Sequence, residues 1–334
     1  MTKLSLAIRT DSSKKIGTGN IKRAILIAKE FKKKNFRIHF IKKNTEYNSE
    51  LKKLGFEIFV IKKKYNFQSQ ILKYIDKKKI LAYYTDLLTP EIKIEKSLKK
   101  KIPVVVFEDE INKHFCHLYF NPNTDKSKDS HLIKKKIYSE KNYLGKKYFI
   151  IKKIKKKKYI KNKKILVSFG GSDNSNQTEK VIRALKIFFN TKYKIFVCLG
   201  KNYKFKNKLK TKYKNIDNLK FFSSENLSEI LSNFNFIIGS CGQSLLERIY
   251  LSKYSLSAIT SGNQYLLAKK IKKFNVTKII NLSYYPKKIK LSNWRKEIID
   301  YLRMNNLQIK SKKFFIKNNV AEVIKIIVKK IHDR

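Results

Sequence analysis

The chain has 334 residues, 79 Lys and Arg against 25 Asp and Glu, and a formal net charge of +54. That length predicts about two domains. A 42% apolar content with 22 Phe and 19 Tyr excludes a disordered polyelectrolyte, which combines high charge with low hydrophobicity.

Three cysteines, Cys116, Cys198 and Cys241, are too few for a disulfide framework and form no C-x-x-C pair for structural zinc. No run reaches the roughly 20 apolar residues of a membrane span. The first residues are charged too early for a signal peptide, so a reducing cytoplasm is the expected compartment. Only 8 of the 79 cationic residues are Arg. The Lys excess travels with Ile, Asn, Phe and Tyr, the residues of A/T-rich codons, and a nucleic-acid surface would be expected to use more Arg. No nucleic-acid partner is therefore expected, although peripheral attraction to anionic surfaces follows from the charge.

In chain order, alternating Leu4, Leu6 and Ile8 predict a strand. A loop carries Asp11, Gly17 and Gly19, and Ile21, Ala24, Ile25, Ala28 and Phe31 recur at helical spacing. Strands are predicted over 36–41, 56–61, 80–84 and 104–107, with a helix over 49–54 stopped by Gly55. A Lys-rich stretch over 151–164 reads as a basic linker or as a solvated loop. The pattern then restarts: strand 165–169, helix 177–189, strand 194–200 and strand 236–240. Strands alternating with helices imply parallel sheets with right-handed crossovers. The fold class expected is α/β, with an N-terminal domain over 1–150 and a C-terminal domain over 165–334. Two such halves around a cleft would suit a nucleotide-bound substrate held at strand carboxyl ends.

Three glycine loops each join a strand to a helix. Gly17-Thr18-Gly19 admits either an anion at the helix N-terminus or a plain tight turn, since Lys22 spoils the full G-x-G-x-x-G pattern. Gly170-Gly171-Ser172-Asp173 offers amides and a hydroxyl to phosphate, or a turn capped by Asp173. Ser240-Cys241-Gly242-Gln243-Ser244 precedes a helix read as starting near Ser244. Glu247, placed in its first turn, suits the helix dipole, a capping box or a ribose diol. Glu108, Asp109 and Glu110 follow a buried strand and could tune a general base, bind a metal or form a solvated turn. His114 and His117 are three apart but lack a metalloprotease context. No G-x-S-x-G elbow supports a serine hydrolase.

The stretch from Arg9-Thr10-Asp11-Ser12-Ser13 to Gly17-Thr18-Gly19-Asn20-Ile21-Lys22-Arg23 resembles R-x-D-x-S-x-x-I-G-x-G-H-x-x-R. That pattern opens the UDP-2,4-diacetamido-2,4,6-trideoxy-β-L-altropyranose hydrolases of pseudaminic acid biosynthesis and the related spore-coat polysaccharide proteins. The segment from Phe107 to Cys116, then Asn121-Pro122-Asn123, Tyr143 to Tyr148, Gly170 to Asp173, Gly242 to Glu247 and Asn263-Gln264 resemble further family motifs in the same order. The resemblance runs from about residue 3 to residue 275.

It implies two Rossmann-like domains facing across a cleft, as in the GT-B glycosyltransferases, and a relationship to the lipid II N-acetylglucosaminyltransferase. It implies a UDP-linked amino sugar as partner, no metal or other cofactor, and water displacing UDP from the anomeric carbon. Gly171 and Ser172 would lie near phosphate, together with Gly242, Gln243 and Ser244. Glu247 would lie near ribose, Asn263 and Gln264 near the diphosphate or sugar, and Gly17, Gly19 and Arg23 on the sugar side.

Three positions depart from the family. Its histidine after G-x-G is Asn20, which has no titratable group near neutral pH. Its D-H-Y strand end is read at Tyr83-Tyr84-Thr85, and its Asp after H-x-C is His117. Asp11 or Glu108 could replace the base, water could be positioned without one, or the scaffold could transfer sugar to an acceptor or bind nucleotide sugar without turnover.

Overall fold

Parallel strands cannot be joined by hairpins, so each must be followed by a crossover that climbs over one face of the sheet. This chain obeys that rule twice. In the computed structural model, residues 3–13, 17–155, 162–223, 227–283, 289–304, 309 and 316–333 are described.

The first unit holds β1 (Ser5–Thr10), α1 (Gly19–Lys33), β2 (Arg37–Lys42), α2 (Asn48–Lys53), β3 (Glu57–Val60), α3 (Phe67–Lys77) and β4 (Ala82–Asp86). It continues with α4 (Ile92–Lys99), β5 (Val104–Phe107), β6 (His114–Phe115), β7 (Leu118–Asn121), α5 (Ser130–Lys136), β8 (Ile137–Tyr138) and β9 (Lys141–Leu144). Seven strands form a parallel sheet in the order β3-β2-β1-β4-β5-β7-β9, and β6 pairs with β8 apart from it. Every residue of β1, β4, β5 and β7 is buried, as a sheet covered on both faces requires.

The second unit holds β10 (Lys164–Ser168), α6 (Gln177–Ala184), β11 (Lys194–Cys198), α7 (Lys206–Lys212), β12 (Leu219–Phe222), α8 (Leu227–Ile230) and β13 (Phe236–Ser240). It ends with α9 (Gln243–Tyr250), β14 (Leu256–Ala258), α10 (Tyr265–Lys272), β15 (Lys278–Ile279) and α11 (Leu291–Arg303). Its parallel sheet runs β12-β11-β10-β13-β14-β15. Counted within the unit this is the order 3-2-1-4-5-6 of the dinucleotide-binding fold, and the first unit's sheet begins the same way. Both units are Rossmann-like.

The expected domain limits need one correction. The chain divides into Met1–Ile151 with Lys317–Arg334, and Lys152–Ile316, so its last segment belongs to the first unit. The cause is α12 (Val320–His332). Its Val320, Val323, Ile324, Ile327 and Ile331 form one apolar stripe that joins Ala24, Ala28 and Phe31 of α1 in the first core. Asn319 donates to the Lys147 carbonyl at 2.6 Å, and Lys330 meets Glu140 at 2.6 Å. The boundary between the units, at Ile151 and Lys152, falls at the start of the expected basic linker. Ile151 is buried, and Ile154 packs with Leu166, Phe234 and Ile237 of the second unit; residues 156–161 of that stretch lie outside the described residues.

The second core is centred on α11. Trp294, Ile298 and Tyr301 pack against Val167, Val181, Ile182 and Ile238. The Trp294 indole N–H donates to Gln177 Oε1 at 2.9 Å, and the Tyr301 hydroxyl donates to the Tyr254 carbonyl at 2.9 Å. No helix among the described residues is long and apolar enough to cross a membrane.

Trp294 is the one tryptophan of the chain and lies in the second unit, so its fluorescence reports that unit. Ile327→Ala is expected to cost the first unit about 2–5 kcal/mol, as buried truncations do, and to lower its melting temperature in circular dichroism. The Trp294 transition should stay in place; an equal shift of both would place α12 elsewhere.

Candidate functional site

In an open parallel sheet a crevice forms where neighbouring strands send their crossovers to opposite sides. In the first unit that point lies between β1 and β4, whose register pairs Thr10 with Asp86. In the second it lies between β10 and β13, where Ser168 pairs with Gly239. All three glycine loops singled out in the sequence fall at these two points.

At the first, Gly17 adopts a φ of +84°, which favours glycine, and its amide closes a turn on the Ser13 carbonyl at 2.8 Å. Gly19 opens α1, and a Cβ on either glycine would meet nothing within 4 Å. Asn20 follows on the first turn of α1, buried beside the end of β4. Its Nδ2 donates to Asp86 Oδ1 at 2.8 Å.

β4 runs on to Asp86, so the strand end read at Thr85 does finish on an acid. Asp86 is fully buried, and burial raises its carboxyl to about 6 although Arg23 and Asn20 oppose the shift. Arg23, expected on the substrate, is committed elsewhere. Its Nε and Nη2 donate to Asp86 at 2.7 and 2.8 Å, and its Nη1 and Nη2 to Asp109 at 2.8 and 3.0 Å. Four of the five N–H groups of its fork are thereby used, with the guanidinium stacked 4.5 Å from the Phe107 ring centre. Arg23 is a clamp across the carboxyl ends of β4 and β5.

The two acids proposed as replacement bases are also engaged. Asp11 accepts from Arg9 at 2.6 Å and from the Lys43 amide at 2.8 Å. Burial would raise its carboxyl, but the Arg9 hydrogen bond and charge hold it below the usual value, which makes it a weak base. Arg9 itself is fully buried and forked onto Glu91 at 2.8 and 3.0 Å. Glu108 accepts from the Tyr119 hydroxyl at 2.8 Å and from the Asn112 amide at 3.2 Å, and lies 3.3 Å from His114 Nε2. The other nitrogen of His114 lies 2.9 Å from Glu95. Burial works against the imidazolium, but Glu108 and Glu95 together push His114 up to about 9. His117 is turned elsewhere: its Nδ1 accepts from the Val104 amide at 3.0 Å. The two histidines therefore have separate partners.

At the second switch point the backbones pack closely. A Cβ on Gly200 would lie 2.1 Å from the Gly170 oxygen, and one on Gly239 would lie 2.3 Å from the Ser168 oxygen, so only glycine fits at either place. Asp173 caps α6, accepting from the Gln177 and Thr178 amides at 2.9 and 2.7 Å. The Ser172 side chain, 7% exposed, has a hydroxyl without a partner. Across the switch, Gly242 is the N-cap of α9, which begins at Gln243 rather than near Ser244. Glu247 therefore sits in the second turn, and neither the dipole of the first turn nor a capping box accounts for it. Gln264 Nε2 lies 3.5 Å from where a Gly242 Cβ would be, and its Oε1 accepts from the Thr260 amide at 2.9 Å. Asn263 shares the single turn Gly262–Gln264 with it. Gly242, Gln243, Ser244 and Gln264 thus cluster at one strand end, beside the Gly170-Gly171-Ser172 loop.

Asp86 and a buried Arg248 on α9 were not read as functional positions. Asp86 carried no spacing signal, since one acid after an apolar run is indistinguishable from a turn residue.

No family model matches the chain. An uncharacterized protein of Methanocaldococcus jannaschii is 28% identical over 273 residues, 74% of this chain but 54% of its own length, so the match spans about half of that relative. Among solved structures, MurG of Acinetobacter baumannii superposes with a TM-score of 0.66 at 14% identity, covering 98% of this chain and 100% of that one. The UDP-GlcNAc 2-epimerase of the same Methanocaldococcus gives 0.60 at 14% identity, covering 98% and 99%. The spinosyn rhamnosyltransferase SpnG, complexed with thymidine diphosphate, gives 0.63 at 8% identity, covering 99% and 96%. The chain shares the two-Rossmann fold of these proteins.

Because His114 is held at about 9 against an ordinary 6.5, its contribution is complete below pH 6.5 and is lost as pH rises through 9. The first unit should lose about 3 kcal/mol across that window. Lys42, which burial pulls down to about 8, acts in the opposite sense above pH 8. The difference between wild type and His114→Gln in denaturant melts at pH 6.5, 8 and 9 isolates the histidine. A difference that does not change with pH would sink the assignment.

Proposed function

We propose that the protein is a glycosyltransferase drawing its sugar from a nucleoside diphosphate donor, with the nucleotide bound at the switch point of the second unit. The observation that carries this reading is the convergence there of two glycine loops, a helix N-terminus and the unpartnered, buried Ser172 hydroxyl. Such a site suits a diphosphate, because amides at a helix N-terminus and loop N–H groups stabilise the charge that grows as the leaving group departs. Gly171, Ser172, Gly242, Gln243 and Ser244 would hold phosphate. Glu247 would accept the ribose hydroxyls, and Asn263 and Gln264 would meet the diphosphate or the sugar. Support from outside the chain comes from the fold it shares with a structure complexed with thymidine diphosphate.

In the first unit, Gly17 and Gly19 would lie against the sugar or the acceptor. Asn20 becomes a binding group in this reading. Its amide nitrogen is spent on Asp86, so the oxygen is left to accept from a hydroxyl or an acetamido N–H. In the reaction the bond from the anomeric carbon to the diphosphate oxygen breaks, its electron pair leaves with the nucleotide, and the acceptor hydroxyl oxygen bonds to that carbon as its proton passes to the departing diphosphate or to water.

Hydrolysis of a UDP-diacetamido sugar is the second reading. It is favoured by the serial order of the motifs and by Asp86 directly behind Asn20, where an imidazole would find a carboxylate to orient it.

Incubation with UDP-N-acetylated amino sugars, with and without candidate acceptor glycans, separates the two. UDP release is expected only with acceptor; release without acceptor would replace transfer by hydrolysis. Asn20→His should raise acceptor-independent release by about 10²–10⁴, the usual contribution of a general acid or base. No release and no UDP binding in calorimetry would remove both readings.

A further inference from the structure

Three arginines are buried to 5% exposure or less at the two switch points, and the chain treats one of them differently. Arg9 is forked onto Asp11 and Glu91, and Arg23 onto Asp86 and Asp109. Each has two carboxylates. Arg248, 1% exposed on α9, has none: among the described residues no carboxylate forms an ion pair with it. Its Nη2 donates to the Ser240 carbonyl and its Nε to the Ser244 carbonyl, the latter at 3.2 Å. Carbonyl dipoles satisfy its hydrogen bonds but leave a full positive charge in a medium of low dielectric. Burial accordingly pulls its guanidinium down to about 10.

The two carbonyls that Arg248 holds belong to the residues on either side of Cys241-Gly242-Gln243, the glycine loop of the second switch point. Its Nη1 also lies 3.1 Å from where a Gly239 Cβ would be, directly under the end of β13. A buried cation normally brings its counter-charge with it, because the desolvation cost is otherwise unmet. Here the fold supplies dipoles and, among the described residues, no ion-paired carboxylate, only the weaker field of Glu247, which does not offset the burial, at the place where a diphosphate would sit.

We propose that Arg248 is a positioning residue of the donor site: its buried charge is completed by the phosphates of a nucleoside diphosphate bound on the loop above it, and it selects for their number. The inference rests on the donor-site reading given above. Arg248 would not touch the ligand. It would act through the field at the loop and through the two carbonyls it draws inward, which leaves the loop amides facing the phosphates. At an effective dielectric near 20, one unit charge several ångströms away changes affinity by about ten- to a hundredfold.

The test is calorimetric binding of UDP, UMP and uridine to the full chain at about 150 mM salt, where non-specific attraction to the surface lysines is screened. Wild type, Arg248→Met and Arg248→Lys are compared, with thermal melts of each without ligand. Arg248→Met should weaken UDP by about ten- to a hundredfold, UMP by less, and uridine by less than about twofold. Arg248→Lys should recover most of the UDP affinity, and the UDP-induced rise in melting temperature should shrink in Arg248→Met alone. Equal weakening of all three ligands would make Arg248 a structural brace and overturn the inference, as would unchanged UDP affinity. A wild type that binds uridine and UDP equally also overturns it. A wild type that binds none of the three overturns the donor-site reading and this inference together.

Discussion

Burial of both faces of each parallel sheet is the constraint on which the rest of the structure depends. A strand such as β1 or β13, buried throughout and covered above and below, leaves its neighbours no route except a crossover helix. Every crossover then deposits its loop at the same edge, the carboxyl end of the strands. With the order 3-2-1-4-5-6 in the second unit and the same start in the first, one gap per sheet is inevitable. Chemistry-bearing residues collect there because loop backbone is free to deviate only at strand ends.

What fills those gaps is arginine and carboxylate, whereas the surface is lysine. The contrast follows from the side chains. A guanidinium offers a planar fork that can satisfy two carboxylates at once and is less strongly hydrated than an ammonium. Arg23 does this for Asp86 and Asp109, binding the ends of β4 and β5 to α1. Arg9 does it for Asp11 and Glu91. The net charge of +54 therefore describes the solvent face and says little about the sites. Glu95, His114 and Glu108 repeat the arrangement with an imidazole, one cation between two buried carboxylates.

The Arg23 clamp also gives meaning to Asn20. A side-chain amide next to a buried carboxylate has one rational orientation, nitrogen toward the acid, and so presents its oxygen outward. A histidine there would carry a proton between the carboxylate and a substrate. Asparagine keeps the geometry and gives up the proton.

Much of this was legible in one dimension. Apolar runs at Val105, Val167 and Ile238 marked central strands, because a strand buried on both faces has no polar alternation to hide it. Gly17 and Gly170 marked their loops, because the backbone turns there at a positive φ that side chains resist. The edge strands β9 and β15 were not legible: Lys141–Leu144 and Lys278–Ile279 are short and half polar, and only pairing makes them strands. That the last helix belongs to the first unit was not legible, since an apolar face does not say which partner it covers. The sequence by itself determined the alternation of strand and helix, the glycine loops and the loss of a titratable group at Asn20, all of which are local properties of the backbone and of side-chain chemistry. The tertiary structure alone decided that Arg23 belongs to Asp86 and Asp109, that α12 completes the first core and that Arg248 has no ion-paired carboxylate among the described residues, because charge compensation and packing join residues far apart in the chain.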